Sequence, residues 1–96
     1  VNRLELVARI DSISILRYSP VGVPVLDFML LHESTVVEAN EPRKIQLEMK
    51  SIAIGSLAER VQGFELGSIW SFDGFLGSSK NKKSVVFHIQ EINTVL

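Results

Sequence analysis

Apolar and polar residues alternate with a period of two along most of the chain, the pattern of strands with one buried face. From Arg3 to Asp11, Leu4, Leu6, Ala8 and Ile10 alternate with Arg3, Glu5, Arg9 and Asp11, with Val7 the one apolar residue on the polar side. Ile13 and Ile15 continue the alternation, which predicts one long first strand reaching Tyr18 with a bulge near Asp11-Ser12. The segment Ser19-Pro20-Val21-Gly22-Val23-Pro24 is a turn, since two prolines fix φ and Gly22 is free to take a positive φ. Val25 to Glu33 is a second strand, with Leu26, Phe28, Leu30 and His32 on one face, so the first two strands form a hairpin. Val36 to Pro42 has no stable period and is expected to be an exposed loop. A third strand follows over Arg43 to Ile54, where Ile45, Leu47 and Met49 alternate with charged and amide residues.

Only Gly55 to Gly63 departs from this pattern. Ser56 as N-cap, Glu59 reaching back to it, Leu57 and Val61 on one face and Gly63 at the end predict a helix of two turns. Strand four, Ser68 to Leu76, sets Trp70, Phe72 and Leu76 on one face, with Gly74 interrupting as at a bend. Gly77 to Lys83 is a loop, and strand five, Ser84 to Ile92, sets Val85, Phe87 and Ile89 against Val86, His88, Gln90 and Ile92. Five strands with one short helix between the third and fourth describe an all-β OB-fold barrel; an SH3-like barrel or a split sheet with one helix fits the same periods. The 96 residues, 46% of them apolar, are expected to make a single OB-fold domain over 1–96.

Composition narrows the chemistry. With no cysteine there is no disulfide, thiolate metal site or cysteine nucleophile, and a reducing, cytoplasmic setting is expected. No apolar run approaches the ~18 residues of a membrane helix, and no basic-then-apolar leader opens the sequence. His32 and His88 have no second ligand at metal spacing, and Gly67, Gly74 and Gly77 do not form a phosphate-cradling loop. Asp27, Glu33, Asp73 and Glu91 are better read as solubilising strand residues than as an acid–base pair. A non-enzymatic binding module with no metal and no cofactor is expected.

A formal charge of −1 is not the footprint of a duplex-DNA binder, so any nucleic-acid site requires clustered cations. Such a cluster is expected: Arg17 beside Tyr18 at the first hairpin, Arg43 and Lys44 opening strand three, Lys50 beyond them, and Lys80, Lys82 and Lys83 in the loop before strand five. OB-folds bind oligonucleotides over strands two and three, framed by those loops. Trp70, Phe72, Phe28 and Phe87 fall on core faces, which leaves Tyr18 and Phe75 as candidate stacking platforms.

Asn2-Arg3-Leu4-x-Leu6, the Ser19-Pro20-x-Gly22-x-Pro24 turn and Phe28 with His32 resemble the primosomal replication protein N (PriB) family. Val36 to Ala39 with Arg43, Gly67-Ser68, Gly74-Phe75 and His88 extend the resemblance over nearly the whole chain. The run from Leu66-Gly67-Ser68 to Gly74-Phe75-Leu76 also resembles bacterial single-stranded DNA-binding proteins, to which that family is related. The resemblance implies a homodimer that binds single-stranded DNA without sequence readout in replication restart, with the helicase PriA and the loader DnaT as partners. It places Arg17, Arg43, Lys80, Lys82 and Lys83 at basic positions of the DNA-binding face. Glu41 and Gln46 stand where better known members carry exposed aromatics, Glu33 stands where they carry arginine, and the loop before strand five is shorter. Gln46 is kept among the DNA-facing residues, and binding weaker than is usual for the family is expected. The alternatives are a general coating protein, which would need an acidic tail beyond Leu96, and a protein-interaction barrel with weak DNA binding.

Overall fold

The computed structural model describes residues 1–95. Six strands and one helix follow in the order β1 (Leu4–Ile13), β2 (Arg17–Tyr18), β3 (Pro24–Glu38), β4 (Glu41–Ile54), α1 (Ser56–Gln62), β5 (Ile69–Ser78) and β6 (Val85–Asn93). One sheet carries the order β1-β5-β6-β4-β3-β2, and an added β1–β3 pairing closes it. All pairings are antiparallel except β4 with β6. This is the OB-fold barrel that the alternation predicts.

β1 reaches two neighbours because it is bulged. Its first half pairs with β5 from Leu4↔Gly74 to Arg9↔Ile69, and its second half pairs with β3 from Arg9↔Leu31 to Ile13↔Phe28, with a register shift between Ile10 and Ser12. Asn2 lengthens the first of these ladders: its amide nitrogen donates to the Leu76 carbonyl at 2.7 Å and its amide oxygen accepts from the Leu76 N–H at 2.9 Å. The side chain thus does the work of a strand residue.

Alternate residues fill the barrel. Leu6, Ala8, Ile10, Leu26, Phe28, Leu30, Ala53, Phe72, Phe87, Ile89 and Ile92 are buried, and α1 closes one end with Ala58 and Val61. Trp70, placed in the core by its spacing, is half-buried against it: its ring stacks on Phe64 at 4.2 Å and its indole N–H donates to Ser68 Oγ.

Four expectations need correction. The first strand is not continuous. Ile13 and Leu16 pack on the core while Ile15 is 92% exposed, so inward positions fall three apart and break the ladder. β2 is therefore separate and the helix follows the fourth strand, not the third.

Val36 to Pro42 is not a loop. β3 and β4 continue as a two-stranded arm to Glu38↔Glu41, joined by Ala39 and Asn40 with φ of 51° and 66°. Two consecutive positive φ values make the two-residue turn whose twist suits a hairpin. Both faces of the arm tip meet water, so no alternation of burial marks it. The arm gives the molecule extents of 51 × 31 × 22 Å.

Ser56 does not cap the helix. Gly55 is the N-cap at φ 76°, with no side-chain cap bond, because its N–H is held by the Pro24 carbonyl at 2.8 Å and the chain must reverse there.

Ile92 does not share the outward face with His88. The β5–β6 ladder passes from Gly74↔Ile89 to Asp73↔Glu91, leaving Gln90 unpaired, and the extra residue turns Ile92 into the core. At this bulge Gly74 lies so close to β6 that a Cβ would sit 1.8 Å from the His88 carbonyl oxygen.

Gly74→Ala is therefore expected to destabilise the barrel by about 2–3 kcal/mol or more, a fall in melting temperature of roughly 10–20 °C. Gly63→Ala, whose Cβ would meet nothing closer than 3.6 Å, serves as the control and should shift melting by only a few degrees. Equal melting of the two variants by circular dichroism would contradict the packing described.

Candidate nucleic-acid interface

Side chains opposite one another in adjacent strands share a face of the sheet. On the outward face of the β3–β4 pair, Asp27 meets Ile52, Met29 meets Lys50, Leu31 meets Glu48, Glu33 meets Gln46 and Thr35 meets Lys44. The parallel β6 carries this face on, with His88 beside Ile52, and β5 adds Phe75 beside His88. On the other flank β2 brings Arg17 next to Asp27.

This strip is a groove rather than a flat wall. A hollow of about 430 Å³ is lined by Arg17, Asp27, Ile52, Ser78, Ser79, Lys80, Val86 and His88. A second, of about 240 Å³, shares Asp27 and Val86 with it and adds Ser12, Ser14, Met29 and Lys50. Further along the arm, Glu33, Thr35, Lys44 and Gln46 line a third of about 380 Å³.

The loop between β5 and β6 is held by its own short side chains. Ser79 Oγ donates to Asn81 Oδ1 at 2.6 Å, Asn81 Oδ1 accepts from the Lys83 N–H at 3.0 Å, and the Lys82 N–H donates to the Ser79 carbonyl at 2.8 Å. Lys82 takes a φ of 58° at the turn. These bonds leave the exposed Lys80, Lys82 and Lys83 directed away from the barrel, with Lys80 on the groove wall.

Not every candidate reaches this face. Arg43 pairs across the ladder with Val36, on the opposite side of the arm from Lys44, and Glu38 holds its Nε at 2.7 Å. Tyr18 is 65% exposed but lies opposite Pro24, on the other side of the β2–β3 ribbon from Arg17. Arg17, Lys44, Gln46 and Lys80 share the outward face, Lys82 and Lys83 are exposed in the loop that adjoins it, and Arg43 and Tyr18 point elsewhere. Lys50 lines the hollow of about 240 Å³.

Charge is divided by residue type. Among the described residues all four ion pairs use arginine: Arg3–Asp73 at 3.4 Å, Arg9–Glu33 at 3.1 Å, Arg17–Asp27 at 2.9 Å and Arg43–Glu38 at 2.7 Å. No lysine takes part in one. The pairs are largely solvent-exposed, where each stabilises by less than about 1 kcal/mol, yet each cancels much of the local charge an anion would feel. The field over the groove is thus set by Lys44, Lys50, Lys80, Lys82 and Lys83, opposed on the arm side by Glu48.

His88 is the groove residue that sequence reasoning left out. The strand-five alternation put it beside Val86, but a lone histidine gives no sign of its neighbour, and the Phe75↔His88 pairing depends on the register of the β5–β6 hairpin. The two rings stack at 4.8 Å with an interplanar angle of 5°. Among the described residues no group of three or more His, Asp or Glu side chains is placed to hold a metal ion, and no helix is long and apolar enough to cross a membrane.

Comparison with known proteins bears on what such a groove holds. The family model described as "Another single-strand binding protein family" matches residues 2–91. The replication restart protein PriB of Bordetella pertussis is 36% identical over 96 residues, covering 99% of this chain and 90% of that protein. The crystal structure of PriB from Ralstonia solanacearum superposes with a TM-score of 0.88 at 29% identity, covering 98% of this chain and 97% of that one. The single-stranded DNA-binding protein from Thermus aquaticus shares the fold, with a TM-score of 0.78 at 19% identity over 100% of this chain and 51% of that one.

Proposed function

The chain belongs to the replication restart protein PriB family of single-strand binding proteins, and from that premise we propose that it binds single-stranded DNA in the lysine-lined groove. The observation that carries this reading is the placing of Lys50 and Lys80 on two hollows that share Asp27 and Val86 on the outer face of β3, β4 and β6, with Lys82 and Lys83 exposed in the adjoining loop. A formal charge of −1 is not the footprint of a duplex binder, whereas a lone strand needs only a local cluster of phosphate contacts and a floor for its bases.

The work done is tethering, not catalysis. The chain holds the DNA strand at a fork and, by contacting PriA at the same time, raises the local concentration of that strand at the helicase. DnaT is a further protein partner, the setting is the cytoplasm, and residues 1–96 act as one OB-fold domain. Glu48 on the same face opposes the lysines, and the arginines there are neutralised by Asp27 and Glu33, which keeps the DNA contact weak and favours dependence on the protein partner over coating of long strands.

Two protomers pair along β1. Leu4 to Ala8 have a strand partner, β5, on one side only, with the Val7 carbonyl on the other side met by His32 Nδ1, and Val7, 42% exposed, lies with Leu31 and Ile69 around a hollow that the Arg9–Glu33 pair also lines. Pairing there doubles the number of phosphates one assembly can reach.

With roughly three phosphates neutralised per protomer, the log–log salt slope of oligonucleotide affinity is expected near −2 per protomer and about −4 for a dimer spanning both sites. Replacing Lys80, Lys82 and Lys83 together by alanine should remove most of that slope and lower affinity by roughly tenfold or more at physiological salt. In fork-unwinding assays the same variant should stimulate PriA less than the wild-type chain does. Unchanged affinity and slope by fluorescence anisotropy would remove the loop from the site. In sedimentation equilibrium the wild-type chain should run as a dimer at micromolar concentration and Val7→Asp as a monomer; an unshifted mass would refute the β1 contact.

A further inference from the structure

We propose that His88, backed by Phe75, is the platform on which one nucleobase of the bound strand stacks, a binding subsite that rests on the single-strand reading above.

Among the ring side chains only His88 lines the main groove, and Phe75 lies parallel to it at 4.8 Å. One face of the imidazole is therefore covered by Phe75, and the groove lies beside the pair. Offset parallel stacking is the arrangement aromatic rings and bases favour, and a ring already held parallel to a second one loses little freedom when a base joins the stack.

Two backbone features hold the ring in place. The hairpin register that runs unbroken from Ser78↔Val85 to Gly74↔Ile89 sets His88 opposite Phe75, and Gly77 on the same strand as Phe75 leaves room for the imidazole. A Cβ on Gly77 would lie 2.9 Å from His88 Nε2 and 3.1 Å from its Cδ2. Gly77 needs no positive φ, so this cleared space against His88 is what its missing side chain provides.

The surroundings select a nucleotide over another aromatic partner. Lys80 on the groove wall offers an unpaired cation for a phosphate, Ser78 and Ser79 offer hydroxyls, and the Arg17–Asp27 pair forms the opposite wall with its charges balanced. A base on the ring with its phosphate toward Lys80 uses both halves of the nucleotide. The contact reads the π-face alone, so it is blind to sequence.

The test compares two oligonucleotides of equal length and charge, oligo-dT and the same backbone with abasic sites throughout, by fluorescence anisotropy at one salt concentration. His88→Gln should weaken oligo-dT binding about five- to tenfold while leaving the abasic backbone within about twofold, because one stacked base is lost and no phosphate contact is. His88→Phe should keep the preference for oligo-dT. Gly77→Ala, which displaces the ring without removing it, should mimic His88→Gln. Circular dichroism melting of each variant checks that the barrel is intact.

If His88→Gln and the wild-type chain show the same ratio between the two ligands, the platform proposal is overturned while the lysine groove stands. Equal weakening of both ligands would make His88 a structural or phosphate contact and also overturn it. If the wild-type chain binds neither ligand, the single-strand reading itself fails, an outcome the ratio cannot imitate.

Discussion

The geometry of the functional face rests on one close approach, that of Gly74 to the backbone of His88. A strand pair at ordinary spacing has room for a Cβ; here there is none, and the bulge that accompanies the contact shifts β6 by one residue against β5. Beyond the bulge, the shift turns Ile92 into the barrel beside Phe87 and Ile89, completing a core that strict alternation would have left one side chain short. On the hairpin side of it, the register from Ser78↔Val85 runs unbroken to Gly74↔Ile89 and sets His88 against Phe75, and the parallel β4 brings Ile52 beside His88. Core closure and the groove floor thus meet at Gly74.

Above that floor, electrostatics sorts the cations. Arginine, with its planar fork, is the residue most readily captured by a carboxylate across a strand pair, and four of the five arginines are so captured. The fifth, Arg60, donates to the Ile92 carbonyl at 3.0 Å and lies over the Phe64 and Trp70 rings. Its part is to pin α1 to the barrel end. The lysines remain free. A nearly neutral chain can in this way present a positive channel, because its negative charge is spent on arginines and the lysines keep theirs.

How much of this was legible in the sequence depended on whether burial left a period behind. Leu6, Ala8 and Ile10 in β1, and Phe28 and Leu30 in β3, declare their faces by alternation, and the barrel follows. The arm from Val36 to Pro42 does not, since neither of its faces is buried; only the β-branched run Thr35-Val36-Val37 and the turn-prone Asn40 hint at it. The capping role assigned to Ser56 failed because a tertiary bond, Gly55 to Pro24, fixed where the chain reverses. For the site, counting cations located the lysine loop but could not separate Arg43 from Lys44, neighbours that strand geometry sends to opposite faces. Nor could it reveal that Arg17 is matched by Asp27, ten residues away. The Phe75–His88 stack is set by the register of the β5–β6 hairpin, which the period of either strand alone does not reveal.

The central claim is that a lone DNA strand lies along the outer face of β3, β4 and β6, under the lysine loop. Backbone amide chemical-shift mapping by NMR during titration with a short oligo-dT tests it most directly. The account predicts that shifts concentrate at Lys50 to Ile52, Gly77 to Lys83 and Val86 to His88, with little change at Tyr18, Arg43 or α1. Shifts centred on α1 and the Phe64 to Trp70 segment, or on the Arg43 side of the arm, would contradict it.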